Sequence, residues 1–337
     1  DIQDYPGQGS AFVGILDAFM ESKGITTPEE WRQWCSPVVP LLEMKKFCFE
    51  DGEKIQAKVK VANYGGSSLK GKKLKWHLAE DEGVLNIFSY DEGLVDVGEL
   101  NGVFHVQKPT KLLLTLNIEG TEARNSYELW IYPKKALEKK GVIIAKDLND
   151  EVVKVLEKGG KVLWMPTASS HFVTADDTLL QANNKLSQAN NKLSQADNAT
   201  PYTVGGLFQT DYWNYRMFKT ICENNKKKAS PGTLGILTNP EHPIFKGFPT
   251  EMHTNWQWFP VIKESHPLVL DNFAKDYRPI VLVIDNIERN HKLGLVMEWK
   301  VGAGKLLVCM SDLEKAAKYP EGKAFYQSVI DYMRSAD

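Results

Sequence analysis

Between residues 45 and 132 apolar side chains return at every second position, and that period limits the fold more than any other feature of the chain. Ile55, Ala57, Val59 and Val61 alternate with Gln56, Lys58 and Lys60, and Asn63-Tyr64-Gly65-Gly66-Ser67-Ser68 follows as a turn. Leu74, Trp76 and Leu78 alternate again, and 84–88, 94–97, 103–106, 112–118 and 127–132 repeat the pattern with turn residues between them. Seven or eight short strands in about ninety residues is the pattern of a β-sandwich, so an immunoglobulin-like domain is expected over 45–133. His77 and His105 stand in these strands with no second ligand at a fixed spacing, and read as ordinary sheet residues.

Beyond a charged linker at 133–140 the period changes. Residues 141–145 form a short apolar run, 149–158 an amphipathic helix ended by Gly159-Gly160, and 162–165 a second apolar run. Further strands are expected at 234–237, 280–284, 293–298 and 305–310, with helices at 213–223 and 322–333. Strands alternating with helices predict a parallel sheet covered on both faces. The expectation for 134–337 is therefore an α/β domain of flavodoxin-like or glutamine-amidotransferase-like type.

Residues 1–44 read as helical. Tyr5-Pro6-Gly7-Gln8-Gly9 is a turn, and Phe12, Val13, Leu16 and Phe19 then recur at helical spacing. Gly24 ends that helix. Thr27-Pro28-Glu29-Glu30 opens another, with Thr27 as N-cap and Glu30 completing a capping box. Two such helices cannot bury a core alone and need a neighbour.

This opening stretch, residues 1–42, resembles the end of the catalytic barrel in glycoside hydrolase family 2, the β-galactosidase and β-glucuronidase family, in its Bacteroidetes-type branch. The likeness continues at His242-Pro243-Ile244-Phe245-Lys246-Gly247-Phe248-Pro249-Thr250 and Asn255-Trp256-Gln257-Trp258. It extends to Ile284-Asp285-Asn286, Leu293-Gly294-Leu295 and Gly302-Ala303-Gly304-Lys305-Leu306-Leu307-Val308, which are similar to the C-terminal domain of the same branch. The resemblance implies a C-terminal portion made of a barrel tail, a sandwich and an α/β domain of structural or assembly role. It implies that both catalytic glutamates lie upstream of Asp1, that the chain alone is inactive, and that the rest of the barrel is its partner. The implied parent reaction is retaining hydrolysis of a terminal β-galactoside or β-glucuronide without a cofactor, in the periplasm or outside the cell. Asp1-Ile2-Gln3-Asp4 shows neither an initiator Met nor a leader pattern, which agrees with a longer parent.

What survives of a sugar pocket would be Gln3, Asp4 and Tyr5, because residues at the C-terminal end of a barrel strand face the active site. Asp4 reads either as a sugar-hydroxyl acceptor or, more simply, as the Asp that stabilises a turn. Glu29 and Glu30 are explained by capping and the helix dipole. Trp256 and Trp258, at i and i+2 of an expected strand, would share one face. That face is a candidate carbohydrate platform or, preferably, a contact between domains; Trp213 and Tyr215 are lesser candidates. Ser169-Ser170-His171 follows a strand end, where open α/β sheets bind ligands, but no nucleophile elbow surrounds it. His242, His253 and His266 with Glu251 match no metal spacing, and Gly302-Ala303-Gly304 reads as a tight turn into the last strand.

One stretch has no counterpart in the resemblance: Gln181-Ala182-Asn183-Asn184-Lys185-Leu186-Ser187 is repeated unchanged at 188–194. Leu179, Ala182, Leu186, Ala189, Leu193 and Ala196 form a heptad seam, read as a helical insert at 179–198 that packs on its own domain or pairs two copies into a homo-oligomeric scaffold. Cys35, Cys48, Cys222 and Cys309 are too scattered for a disulfide framework. With 41 Lys+Arg against 43 Asp+Glu the formal net charge is -2, which gives no overall case for nucleic acid or an anionic membrane, and no run is long enough to span a bilayer as a helix.

Overall fold

The computed structural model describes residues 2–4, 14–88, 92–166, 203–208, 215–227, 232–286 and 289–335. The repeat at 181–194, the expected insert around it, Tyr5, Ser169, Ser170, His171 and Trp213 lie outside the described residues. The chain divides into two compact units, Asp1–His105 with Lys111–Ile131, and Val106–Thr110 with Tyr132–Asp337.

The first unit opens differently from expectation. Helix α1, Pro28–Trp31, forms as read, with Thr27 accepting from the Glu30 amide and Glu30 reaching back to the Thr27 amide. The helix expected over 12–19 does not form in its described part. Leu16 instead bridges Gln3 and Ser22, giving its amide hydrogen to the Ile2 carbonyl and accepting from the Asp4 amide. Backbone groups paired across a loop cannot also serve a helix. Phe19, expected on a buried face, is 84% exposed.

The sandwich follows. Strands β1 (Val38–Glu43), β3 (Lys54–Asn63) and β6 (Gly93–Val103) make one sheet in the order β1-β3-β6. Strands β2 (Cys48–Glu50), β4 (Lys73–Leu78), β5 (Asp81–Asn86), β7 (Thr110–Ile118) and β8 (Arg124–Tyr132) make the other, in the order β2-β8-β7-β4-β5. The two-residue period is what closes it: Ile55, Ala57, Val59 and Val61 are buried on β3, and Leu114, Leu116 and Ile118 on β7. Asn125 ties an edge by donating to the Pro40 carbonyl and to the Tyr127 hydroxyl.

In the second unit β9 (Ile143–Ala145), helix α2 (Asp150–Glu157) and β10 (Lys161–Trp164) form a β-α-β unit. Asn149 caps α2 by accepting from the Val152 amide, with Asp150 and Glu151 in the first turn. Then come helix α3 (Tyr215–Asn224), β11 (Thr233–Thr238), helix α4 (Phe259–Lys263), β12 (Leu268–Val269), β13 (Val281–Asp285), β14 (Lys292–Val301) and β15 (Gly304–Cys309). Helices α5 (Leu313–Ala316) and α6 (Pro320–Arg334) end the chain. The sheet runs β11-β13-β14-β15-β10-β9, with β12 also paired to β14.

It is not the all-parallel sheet expected of a flavodoxin-like or amidotransferase-like domain. Among the described strands only β9, β10 and β15 run parallel; β11, β13, β14 and β15 pair antiparallel in turn. The reason is in the connections. A parallel crossover needs a dozen or more residues, and β14 reaches β15 through Gly302-Ala303 alone.

Candidate functional site

The second unit has a cleft of about 1010 Å³ between the β14–β15 hairpin and helix α6. Two glycines shape the hairpin beside it. Gly302 takes φ +58° in the hairpin turn, and Gly304 sits where a Cβ would come within 2.4 Å of the Gly160 and Leu156 carbonyl oxygens. This close approach sets β15 against the start of β10, and the ladder then aligns three lysines on one rung. Lys300 of β14 is opposite Lys305 of β15, which is opposite Lys161 of β10. Residues opposed on a ladder share a face, and strands are about 4.8 Å apart, so the row is about 10 Å long. Lys246, following the 3-10 turn Pro243–Phe245, adds a fourth cation to the lining.

Two carboxylates also line the cleft, Asp331 being paired with Arg334 and bonded to Gln327. Glu298 lies two residues before Lys300, on the same face of β14, and Asp331 comes from α6. The Tyr332 hydroxyl donates to Glu298 Oε2 at 2.6 Å. Lys305 Nζ is 3.5 Å from the same oxygen, 3.4 Å from the Tyr332 hydroxyl and 4.5 Å from the centre of its ring. Burial and the bond to Glu298 hold the Tyr332 phenol above its ordinary pKa, so it remains a donor. The His242 ring lies 5.3 Å from that of Tyr332, and its Nδ1 accepts from the Ile244 amide. Burial holds His242 below its ordinary pKa, in the neutral form that this bond requires. Trp299 alternates to the other face, where it stacks on Tyr277 at 5.6 Å and on Phe273 at 5.8 Å. Trp299 is nevertheless among the residues lining the cleft, and the Tyr332 ring lies against Lys305 of the rung.

The residues singled out in the sequence fall elsewhere. Asp4 is buried, accepting from the Gly14 amide at 2.9 Å and from Lys23 Nζ at 2.8 Å, so its carboxylate closes its own loop. Gln3 is exposed and donates to the Ala18 carbonyl. Trp256 and Trp258 are in a 3-10 turn, Trp256–Trp258, not a strand, and they part company: Trp256 is 58% exposed and Trp258 fully enclosed. Pro260 in the first turn of α4 holds this stretch in helical geometry. Trp258 sits against Phe245, Phe248 and Phe325, with ring centres 5.0 to 6.0 Å away.

Cys309 is enclosed in β15, and burial pushes its thiol up to about 12, which removes it as a nucleophile at neutral pH. His253 is exposed and faces its neighbour's carbonyl, while His266 is half-buried. Among the described residues no three His, Cys, Asp or Glu side chains are grouped to hold a metal ion, and no helix is long and apolar enough to cross a membrane.

Comparison with known proteins gives two family matches. Residues 173–337 match a domain of unknown function (DUF8487), and residues 53–133 match another (DUF8488). A search of the curated proteins gave no match. Among solved structures the chain is similar to the CARDB domain of a Pyrococcus furiosus protein, at 7% identity over 29% of this chain and 94% of that one, with a TM-score of 0.23. It is similar to Parabacteroides merdae β-glucuronidase at 9% identity over 38% of this chain and 21% of that one, TM-score 0.21. It is similar to murine CRIg at 10% identity over 28% and 98%, TM-score 0.17.

Proposed function

We propose that this chain is a non-catalytic part of a family 2 type β-glycosidase, with a structural or assembly role beside a catalytic barrel that supplies both catalytic glutamates. The observation that carries this reading is where the motifs resembling that enzyme branch are spent. Phe245, Phe248 and Trp258 form the aromatic centre of the second unit, and Gln257 is fully buried, bonded to the Tyr132 hydroxyl and the Pro249 carbonyl. Val308 and Leu307 are core positions of β15. These are framework residues, and a family likeness made of framework is what a structural domain shares with its relatives.

In this reading the parallel β9-β10-β15 group is what remains of a doubly wound α/β plan, extended by antiparallel strands. Met252, Trp256 and Phe259, exposed within one short stretch, supply the apolar contact with the rest of the enzyme. The parent reaction is retaining hydrolysis of terminal β-galactosides or β-glucuronides, outside the cytoplasm. The test is an assay of the purified chain with chromogenic β-galactosides and β-glucuronides. No turnover is expected, and hydrolysis that survives purification to homogeneity would contradict the proposal.

A further inference from the structure

Strand β6 pairs with β3 from end to end, Gly93 opposite Asn63 and Val103 opposite Lys54, and it is the last strand in the order β1-β3-β6. Among the described residues its other side bonds to no strand or loop, so a row of backbone N–H and C=O groups is left unpaired. Natural edges of this kind are commonly blunted by being short or by carrying Lys or Pro; β6 is 11 residues long and carries neither. Its bulge, where the register shifts opposite Val59 and Lys60, divides the edge but leaves 98–103 as a run of ordinary strand length. We propose that the free edge of β6 binds an extended basic segment of a partner protein, which joins the sheet as a fourth strand.

The charge of the partner follows from the ladder. On the exposed face Glu43 of β1 is opposite Lys58 of β3, which is opposite Glu99 of β6, so the row runs negative, positive, negative, and a basic residue continues it. Asp96 stands opposite Lys60 in the same way, but Lys60 Nζ is 3.7 Å from Asp96 and 3.0 Å from Glu43, so that lysine is shared. Glu99 accepts a bond from the neutral Gln56 amide at 3.3 Å. The bias persists around the edge. Residues 80–103 hold seven Asp or Glu and no Lys or Arg, and among the described residues Glu80, Asp81, Glu82 and Glu92 enter no ion pair. Leu94 and Val103, 58% and 49% exposed near the two ends of β6, offer apolar contact to alternate side chains of the segment. A second copy of this chain is disfavoured as the occupant, because pairing β6 with β6 sets one acidic edge against another. The proposal goes beyond the glycosidase reading and does not depend on it, since it concerns binding by this chain alone.

The experiment is calorimetric titration of the intact chain with three end-blocked peptides, (Thr-Lys)4, (Thr-Glu)4 and (Pro-Lys)4, followed by hydrogen exchange on the complex. The threonine-lysine peptide is expected to bind, more weakly as salt is raised, with its lysines on one face of the added strand. The glutamate peptide should not bind, and the proline peptide, of equal charge but without half of its backbone donors, should bind on the order of tenfold more weakly. Amides of residues 98–103 should gain protection in the complex. The variant Asp96→Asn/Glu99→Gln should lose affinity by a similar factor at a nearly unchanged melting temperature, because exposed ion pairs contribute little to stability. Equal binding of the proline peptide, protection gained elsewhere than on β6, undiminished binding by the double variant, no binding of the threonine-lysine peptide, or a dimer of the chain alone that already protects β6 would each overturn the assignment.

Discussion

The Tyr132 hydroxyl donates to the side-chain oxygen of Gln257, and both residues are almost wholly enclosed. Gln257 spends its amide hydrogen on the Pro249 carbonyl, so the glutamine is held at both ends. Tyr132→Phe would leave that oxygen buried without its donor, at a cost of about 1–3 kcal/mol. Urea unfolding should show a lower midpoint with an unchanged slope; an unchanged midpoint would mean that water replaces the hydroxyl.

The two tryptophans of the Trp256–Trp258 turn should respond oppositely to truncation. Trp258 is enclosed by three phenylalanines, and Trp258→Ala should cost about 3–5 kcal/mol. Trp256→Ala, at an exposed site, should cost less than about 1 kcal/mol in the isolated chain. Comparable losses from both would contradict the packing described, and circular dichroism melts decide it.

Asp4 should make its loop sensitive to acid. The hydrogen bond from Lys23 is the largest influence and holds the carboxyl below its ordinary value of 3.8, against an opposing push from burial. A carboxyl depressed on folding contributes stability above its unfolded pKa and loses it as pH falls through the folded one. The Gly14 amide, bonded to Asp4, should therefore stay protected from exchange at pH 5 and above and lose protection below 3.8. In Asp4→Asn that acid transition should vanish, and its persistence would place the effect elsewhere.

His242 gives a dependence of the same sign, in a higher window. Burial lowers its pKa from 6.5, so folding favours the neutral ring and protonation opposes folding. No penalty applies above 6.5, where both states are neutral, and the penalty grows as pH drops below 6.5 toward the folded value. His266 is lowered by burial in the same direction. His242→Asn keeps an acceptor for the Ile244 amide and should remove part of the loss in melting temperature between pH 7 and 5. An identical pH profile in the variant would show that His242 does not titrate with folding.

Much of this architecture was legible because local rules and packing agree. The alternation at Ile55, Ala57, Val59 and Val61 is the buried row of β3, and Asn149 before an apolar run is the cap of α2. The helix expected around Leu16 failed because periodicity alone does not say where backbone hydrogen bonds go, and here they go to Ile2 and Asp4. The pairing of Trp256 and Trp258 failed because a short apolar run does not tell strand from turn, although Pro260 was a warning.

The cleft was partly readable. Gly302-Ala303 between two apolar runs fixes a two-residue hairpin, and that register puts Lys300 opposite Lys305. Lys161 joins the row only through parallel pairing with a strand more than a hundred residues away, which no local pattern records.

The account turns on whether this chain is the structural end of a longer hydrolase. Reading the coding DNA upstream of Asp1 tests that most directly. The account predicts an open frame of several hundred codons with a β/α barrel pattern and two glutamates at strand ends. A stop codon close upstream, with a start codon between it and Asp1, would contradict it and leave the free edge of β6 as the feature around which function must be sought.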